Sequence, residues 1–314
     1  MCYRGRHIIM INRELIRQKV VQLIYAHYTN ENRSSDTLEK DLIASLDKAY
    51  DLYLSLMCLL LEMGRIVGRN YDAALTRSKR LGIKAPSTRL VSNKFMKQLE
   101  DNLALKAYKE HQCIDWSGEE ELVRNLLNEG LALDVVEDYL NDNTPTEYEK
   151  DRELWRNIYK NIIVDNEQLD EFLEDENIYW NDDKNVIDTF VLKTINRFKE
   201  DTTPDMPLLP QYRDESDKDF ALQLMKGCLQ HETELLELIE MSTRGWKMER
   251  IALMDRVILQ VALCEIQSFS SIPLSVSINE YVEIAKHYSA PGSSRYINAT
   301  LDAISKKLTL NKKI

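Results

Sequence analysis

Few residues stand at spacings that could do chemistry. The five histidines, His7, His27, His111, His231 and His287, are scattered, and His231-Glu232 lacks the second histidine that a zinc-binding HExxH helix needs one turn later. The five cysteines, Cys2, Cys58, Cys113, Cys228 and Cys264, are odd in number with no CxxC pair, so neither a disulfide framework nor a zinc site is expected. No GxG occurs, which removes the glycine-rich loops whose backbone closes on phosphates. The acidic runs of the middle read as solvated helix faces rather than a hidden acid/base pair. No catalytic constellation and no cofactor is therefore expected. What remains is local charge: residues 1 to 29 hold five basic and one acidic side chain, including Arg13, Arg17 and Lys19. A basic segment on an acidic chain is the asymmetry that accompanies polyanion binding.

The elements that position these residues read as helices throughout. The chain of 314 residues carries a net charge of −11, is 44% hydrophobic and has only 9 glycines. That composition fills a core and disfavours turn-rich sheets. The longest apolar run, Leu52 to Leu61, is interrupted by Tyr53 and Ser55 and falls short of the roughly 20 residues of a bilayer span. With no signal-peptide pattern either, a reduced, cytoplasmic protein without membrane contact is expected. The first nine residues read as an upstream-start artefact or a disordered arm.

Asn12 caps a helix from about Arg13 to His27, with Leu15, Ile16, Val20, Leu23 and Ile24 as its stripe and Arg13, Arg17 and Lys19 on its exposed sides. A long helix is predicted from Leu38 to about Ala74. Ser117 with Glu120, Thr146 with Glu149, and Ser277 with Glu280 have the spacing of capping boxes. Residues 201 to 217, with Pro204, Pro207 and Pro210, read as a surface linker. From about Met248 to Phe269 the chain is apolar on nearly every face, which predicts a helix at the centre of a bundle. No strand pattern competes, so the fold class is all-α.

The strings MERIALMDRVILQVALCEI, IPLSVSINEYVEIAK and SSRYINATLDAISKKL, within residues 218 to 309, resemble the C-terminal bundle of the NusB transcription antitermination family. They contain Asp255-Arg256, Glu265, Ile272-Pro273, Ile278-Asn279-Glu280, Ala285-Lys286, Arg295-Tyr296-Ile297-Asn298 and Leu301-Asp302 in the family's order. Arg17 to Tyr28, RQKVVQLIYAHY, resembles its first helix. The implied organisation is a NusB-like bundle from residues 11–29 and 218–309, a helical insertion over 30–200, the linker 201–217 and a basic tail 310–314. The stretch from 30 to 217 holds 24 basic and 40 acidic residues, so the acidity belongs to the insertion.

The resemblance implies a partner of NusE, a ribosomal small-subunit protein, that binds boxA-type single-stranded RNA and acts on RNA polymerase through other Nus factors. It places RNA contacts at Arg13 and Arg17 of the first helix, to which Lys19 is added as a candidate, basic at a position the family does not reserve for charge, and at Arg295 and Tyr296, where the ring stacks on an unpaired base for about 1 to 3 kcal/mol. Asp255 falls at a position that faces NusE. Plain readings stand beside these: the arginines as solvated charge, Tyr296 as a core-edge ring, Asp255 as a helix-dipole partner. An enzymatic reading, as the N-terminal part of a ribosomal-RNA methyltransferase, lacks the glycine-rich cofactor loop it needs. The remaining alternative is a protein-interaction adaptor, with RNA binding weakened by the acidic block.

Overall fold

The structure is a computed structural model and describes residues 11–30, 34–110, 113–142, 144–180, 182–212, 215–242 and 250–311. The arm expected over residues 1–10 lies outside the described residues. Among those described there are fourteen α-helices, one π-helical segment and no strand. The all-α expectation holds.

The chain divides into two compact units, one of Asp47–Gln211 and one of Ile11–Leu46 with Tyr212–Ile314. The first is thus inserted into the sequence of the second, and the boundary falls within a helix. The discontinuous unit contains α1 (Arg13–Thr29), the start of α2 (Ser35–Leu81), α10 (Glu215–Gln230), α11 (Glu232–Ser242), α12 (Leu253–Ser268), α13 (Leu274–Tyr288) and α14 (Ser293–Asn311). The inserted unit holds the rest of α2 and then α3 (Lys94–Asp101), α4 (Leu103–Lys109), α5 (Glu120–Leu131), α6 (Asp134–Asn141), α7 (Tyr148–Ile158), α8 (Glu167–Glu176) and α9 (Lys184–Arg197).

Helix α12 is the centre of its bundle because its sequence leaves no polar face. Val257, Ile258, Leu259, Val261, Ala262 and Leu263 are all fully buried, against α1, α10, α11, α13 and α14. Each of these valine, leucine and isoleucine side chains contributes about 1.5 to 3 kcal/mol of transfer free energy. The packing against α10 depends on a glycine: a Cβ added at Gly227 would stand 2.6 Å from Cys264 Sγ, closer than atoms tolerate.

In the inserted unit the apolar stripe of α2 supplies the core through Leu52, Tyr53, Leu56, Leu60, Met63 and Val67, with Phe95 and Phe198 meeting edge to face at 5.5 Å. The segment read as a surface linker is mostly exposed, but two of its residues join this core. Leu208 and Leu209 are buried, and the Leu209 N–H donates to Tyr53 Oη at 3.2 Å. Pro204 O accepts from the Leu103 N–H at 2.9 Å and Met206 O from Asn102 Nδ2 at 2.9 Å. Prolines lose a donor but keep a carbonyl, and the junction of α3 and α4 supplies the donors these carbonyls need.

The capping boxes also differ from expectation. Helix α5 starts after Glu119 and α7 after Glu147, neither with a side-chain cap; Ser117 instead donates to Asp115 at 2.6 Å. The third box lies inside α13, which begins after Pro273, and its residues serve another purpose.

Candidate nucleic-acid interface

Helix α1 begins as predicted: Asn12 Oδ1 accepts the Leu15 N–H at 2.9 Å. Its burial is broader than the single stripe, because α10, α12 and α13 all pack on it. Arg17 is therefore not on an exposed side. Only 3% of it is accessible, and it forms a bidentate pair with Glu265, Nε to Oε2 at 2.7 Å and Nη2 to Oε1 at 2.9 Å. Its Nη1 donates to Glu280 Oε2 at 3.0 Å.

Glu265, fully buried, also accepts from Ser277 Oγ at 2.7 Å and from Tyr281 Oη at 3.0 Å. One carboxylate thus gathers four donors and ties α1, α12 and α13 together. Burial by itself lowers the Arg17 guanidinium pKa, but the hydrogen bonds and charge of Glu265 outweigh that and hold it above its ordinary value. Burial raises Glu280, with Arg17 acting against the rise. Such charge-assisted forks are strong and directional, and they leave Arg17 no free edge for a phosphate.

Lys19 is also interior, 1% accessible, so its expected exposure is corrected too. Arg13 keeps a side chain 35% accessible, with Nε 3.9 Å from Asp217 Oδ1 and its guanidinium 4.8 Å above the Phe220 ring. It is the one of the three that reaches solvent.

Asp255 is 7% accessible. It sits in the first turn of α12 and accepts hydrogen bonds from Ser289 Oγ and, at 2.9 Å, from Ser293 Oγ. Both oxygens hold the turn that joins α13 to α14. That turn passes through Gly292 at φ +96°, a region costly for residues with a Cβ.

The turn delivers Arg295 and Tyr296 to the first turn of α14. Arg295 is exposed and Tyr296 half-buried, and burial raises the tyrosine hydroxyl above its ordinary pKa. Arg295 makes no ion pair among the described residues. No hydrogen bond, ion pair or ring contact joins Arg13 to Arg295 or Tyr296 among the described residues.

The residues that sequence reasoning missed are Glu265, Ser277, Glu280 and Tyr281 as one polar cluster. Ser277 and Glu280 carried a signal, their spacing of three, but it was that of a cap. Among the described residues no three His, Cys, Asp or Glu side chains gather to hold a metal, and no helix is long and apolar enough to cross a membrane.

The NusB family model matches residues 189–306, which takes in most of α9, the segment that follows it, α10 to α13 and most of α14. The transcription antitermination protein NusB of Symbiobacterium thermophilum is 38% identical over 117 residues, 37% of this chain and 73% of that protein. The chain belongs to the NusB family. The NusB proteins of Salinibacter ruber and Desulforapulum autotrophicum are 40% and 42% identical over 96 and 91 residues, 31% and 29% of this chain. The chain spans 60% and 64% of their lengths. It is a long variant of the family: the matched part begins within the inserted unit, at residue 189, and runs through the C-terminal helices of the bundle, and α1, outside the matched residues of the family model, packs on that bundle in space.

Proposed function

We propose that the discontinuous bundle acts in transcription antitermination in the cytoplasm, binding boxA-type single-stranded RNA together with NusE and reaching RNA polymerase through other Nus factors. The observation that carries this reading is the exposed Arg295 beside half-buried Tyr296 at the start of α14, on the bundle that matches the family. There the guanidinium meets phosphate while the ring offers a face to an unpaired base. Arg13 adds a second accessible cation. Arg17 and Lys19 act as supports of α1 and not as contacts, and Asp255 acts by positioning α14. The role is one of binding, not catalysis.

The test is binding of the whole protein to a boxA RNA and a scrambled RNA, with and without NusE, at two salt concentrations. Selective, salt-sensitive binding that NusE strengthens and that Arg295→Ala weakens supports the reading. An RNA affinity equal for both sequences and indifferent to Arg295→Ala overturns it. A second reading, an adaptor that holds NusE with little RNA affinity, draws support from the burial of Arg17 and Lys19, which leaves α1 with fewer accessible cations. NusE binding without RNA binding would select it.

A further inference from the structure

The inserted unit has a cavity of about 420 Å³ between α2, α3, α4 and α7, within the range of small-molecule sites. Its α2 wall is lowered at Gly68, where a Cβ would meet nothing within 4 Å, whereas the space beside Gly64 is taken by Met96, whose Sδ would stand 2.8 Å from a Cβ there. The rest of the floor is aliphatic, with Leu61, Leu90 and Leu105 among it. The lining includes four cations, Arg65, Lys97, Lys106 and Lys109, against one carboxylate, Glu100. This is a local reversal within a segment of strongly acidic composition.

Arg65 and Lys106 are paired, with Glu62 at 3.4 Å and Asp101 at 3.1 Å. Lys97 and Lys109 form no ion pair among the described residues. On the same wall Trp155 is 99% buried, with 1% accessible, and its Nε1–H has no acceptor among the described residues. A buried donor without a partner costs on the order of 1 to 3 kcal/mol, and this one is itself occluded, so it is the rest of the indole that lines the cavity.

We propose that this cavity is a binding site for a small amphipathic carboxylate, its aliphatic body against Gly68 and the aliphatic floor and its acid group met by Lys97 and Lys109. The aliphatic floor, with no second aromatic ring to stack, favours such an acid over a nucleotide. The site lies within the inserted unit alone and is independent of RNA binding by the bundle.

The probe is decanoate, titrated into the full chain by calorimetry and by tryptophan emission, with inorganic phosphate and adenosine 5′-monophosphate in parallel. Saturable binding of decanoate and none of phosphate or the nucleotide is the expected result. Lys97→Ala with Lys109→Ala weakens it at least tenfold. Gly68→Leu, whose side chain enters open space and leaves the helix intact by circular dichroism, abolishes it. Trp155→Phe removes the emission change while binding read by calorimetry persists. Absence of saturable decanoate binding, binding untouched by the lysine pair and by Gly68→Leu, or binding of the nucleotide in its place each overturns the proposal.

Discussion

Replacement of Arg17 by alanine separates an RNA-contacting arginine from a structural one. The substitution removes three hydrogen bonds and leaves the fully buried Glu265 carboxylate with only Ser277 and Tyr281 as donors. Removing one partner of a buried pair costs about 3 to 5 kcal/mol, chiefly because the other charge stays desolvated. For a bundle of this size each kcal/mol moves the midpoint by roughly 3 to 5 °C, so a fall on the order of 10 to 20 °C is expected. With two compact units in the chain a single transition is not assumed. The assay is therefore urea denaturation by circular dichroism combined with hydrogen exchange of α12 and α13 amides. Arg17→Met with Glu265→Gln removes both charges and should recover most of the loss, giving a strongly non-additive cycle. A loss below about 1 kcal/mol, the scale of a surface pair, together with weakened RNA binding by a stable Arg17→Ala protein, would refute the reasoning.

Gly227→Ala should destabilise the bundle by about 1 to 3 kcal/mol through overpacking against Cys264, and Cys264→Ala in the same chain should restore much of it; equal midpoints for Gly227→Ala and wild type would contradict the close approach. In native protein, iodoacetamide followed by peptide mapping should label exposed Cys113 well before buried Cys58, Cys228 and Cys264; simultaneous labelling would mean the cores open readily. Burial pushes Cys58 up from 9.0 to about 11 and Tyr53 up from 10.0 to about 12. Both hold their protons more tightly folded than unfolded, so the stability linked to them is complete below about pH 9 and is lost as pH rises through 11 to 12. A urea midpoint for the inserted unit that falls across that window, and falls less in Tyr53→Phe with Cys58→Ala, is expected; a flat profile would count against it.

Much of the fold was legible because helices declare themselves locally. The stripe of α1, the long run of α2 and the uniformly apolar α12 were each readable from one stretch of chain, since a period of 3.6 residues and a cap such as Asn12 need no distant partner. The helix at Lys184–Arg197 likewise follows from Ile187, Phe190, Val191 and Thr194. The segment after it is largely the exposed, non-helical stretch its prolines suggest, but local backbone chemistry does not report that Leu208 and Leu209 enter the core or that a neighbouring helix end uses the carbonyls of Pro204 and Met206. The start of α14 was legible as an Arg-Tyr pair, whereas the role of Asp255 in holding the preceding turn was not.

The sequence by itself determined an all-helical chain, a central apolar helix, an acidic inserted stretch and the family of the bundle, all properties of composition, period and residue order. Only the tertiary structure decided which charges meet water. Arg13 and Arg17 lie on one helix, four residues apart, yet one leans over Phe220 with its side chain partly in solvent and the other is locked onto Glu265. Burial is a relation between segments distant in the chain. A helix touched by three neighbours has no solvent face that its own sequence can announce, and a serine and glutamate spaced like a cap become donor and acceptor for a buried ion pair once α1 and α12 arrive beside them.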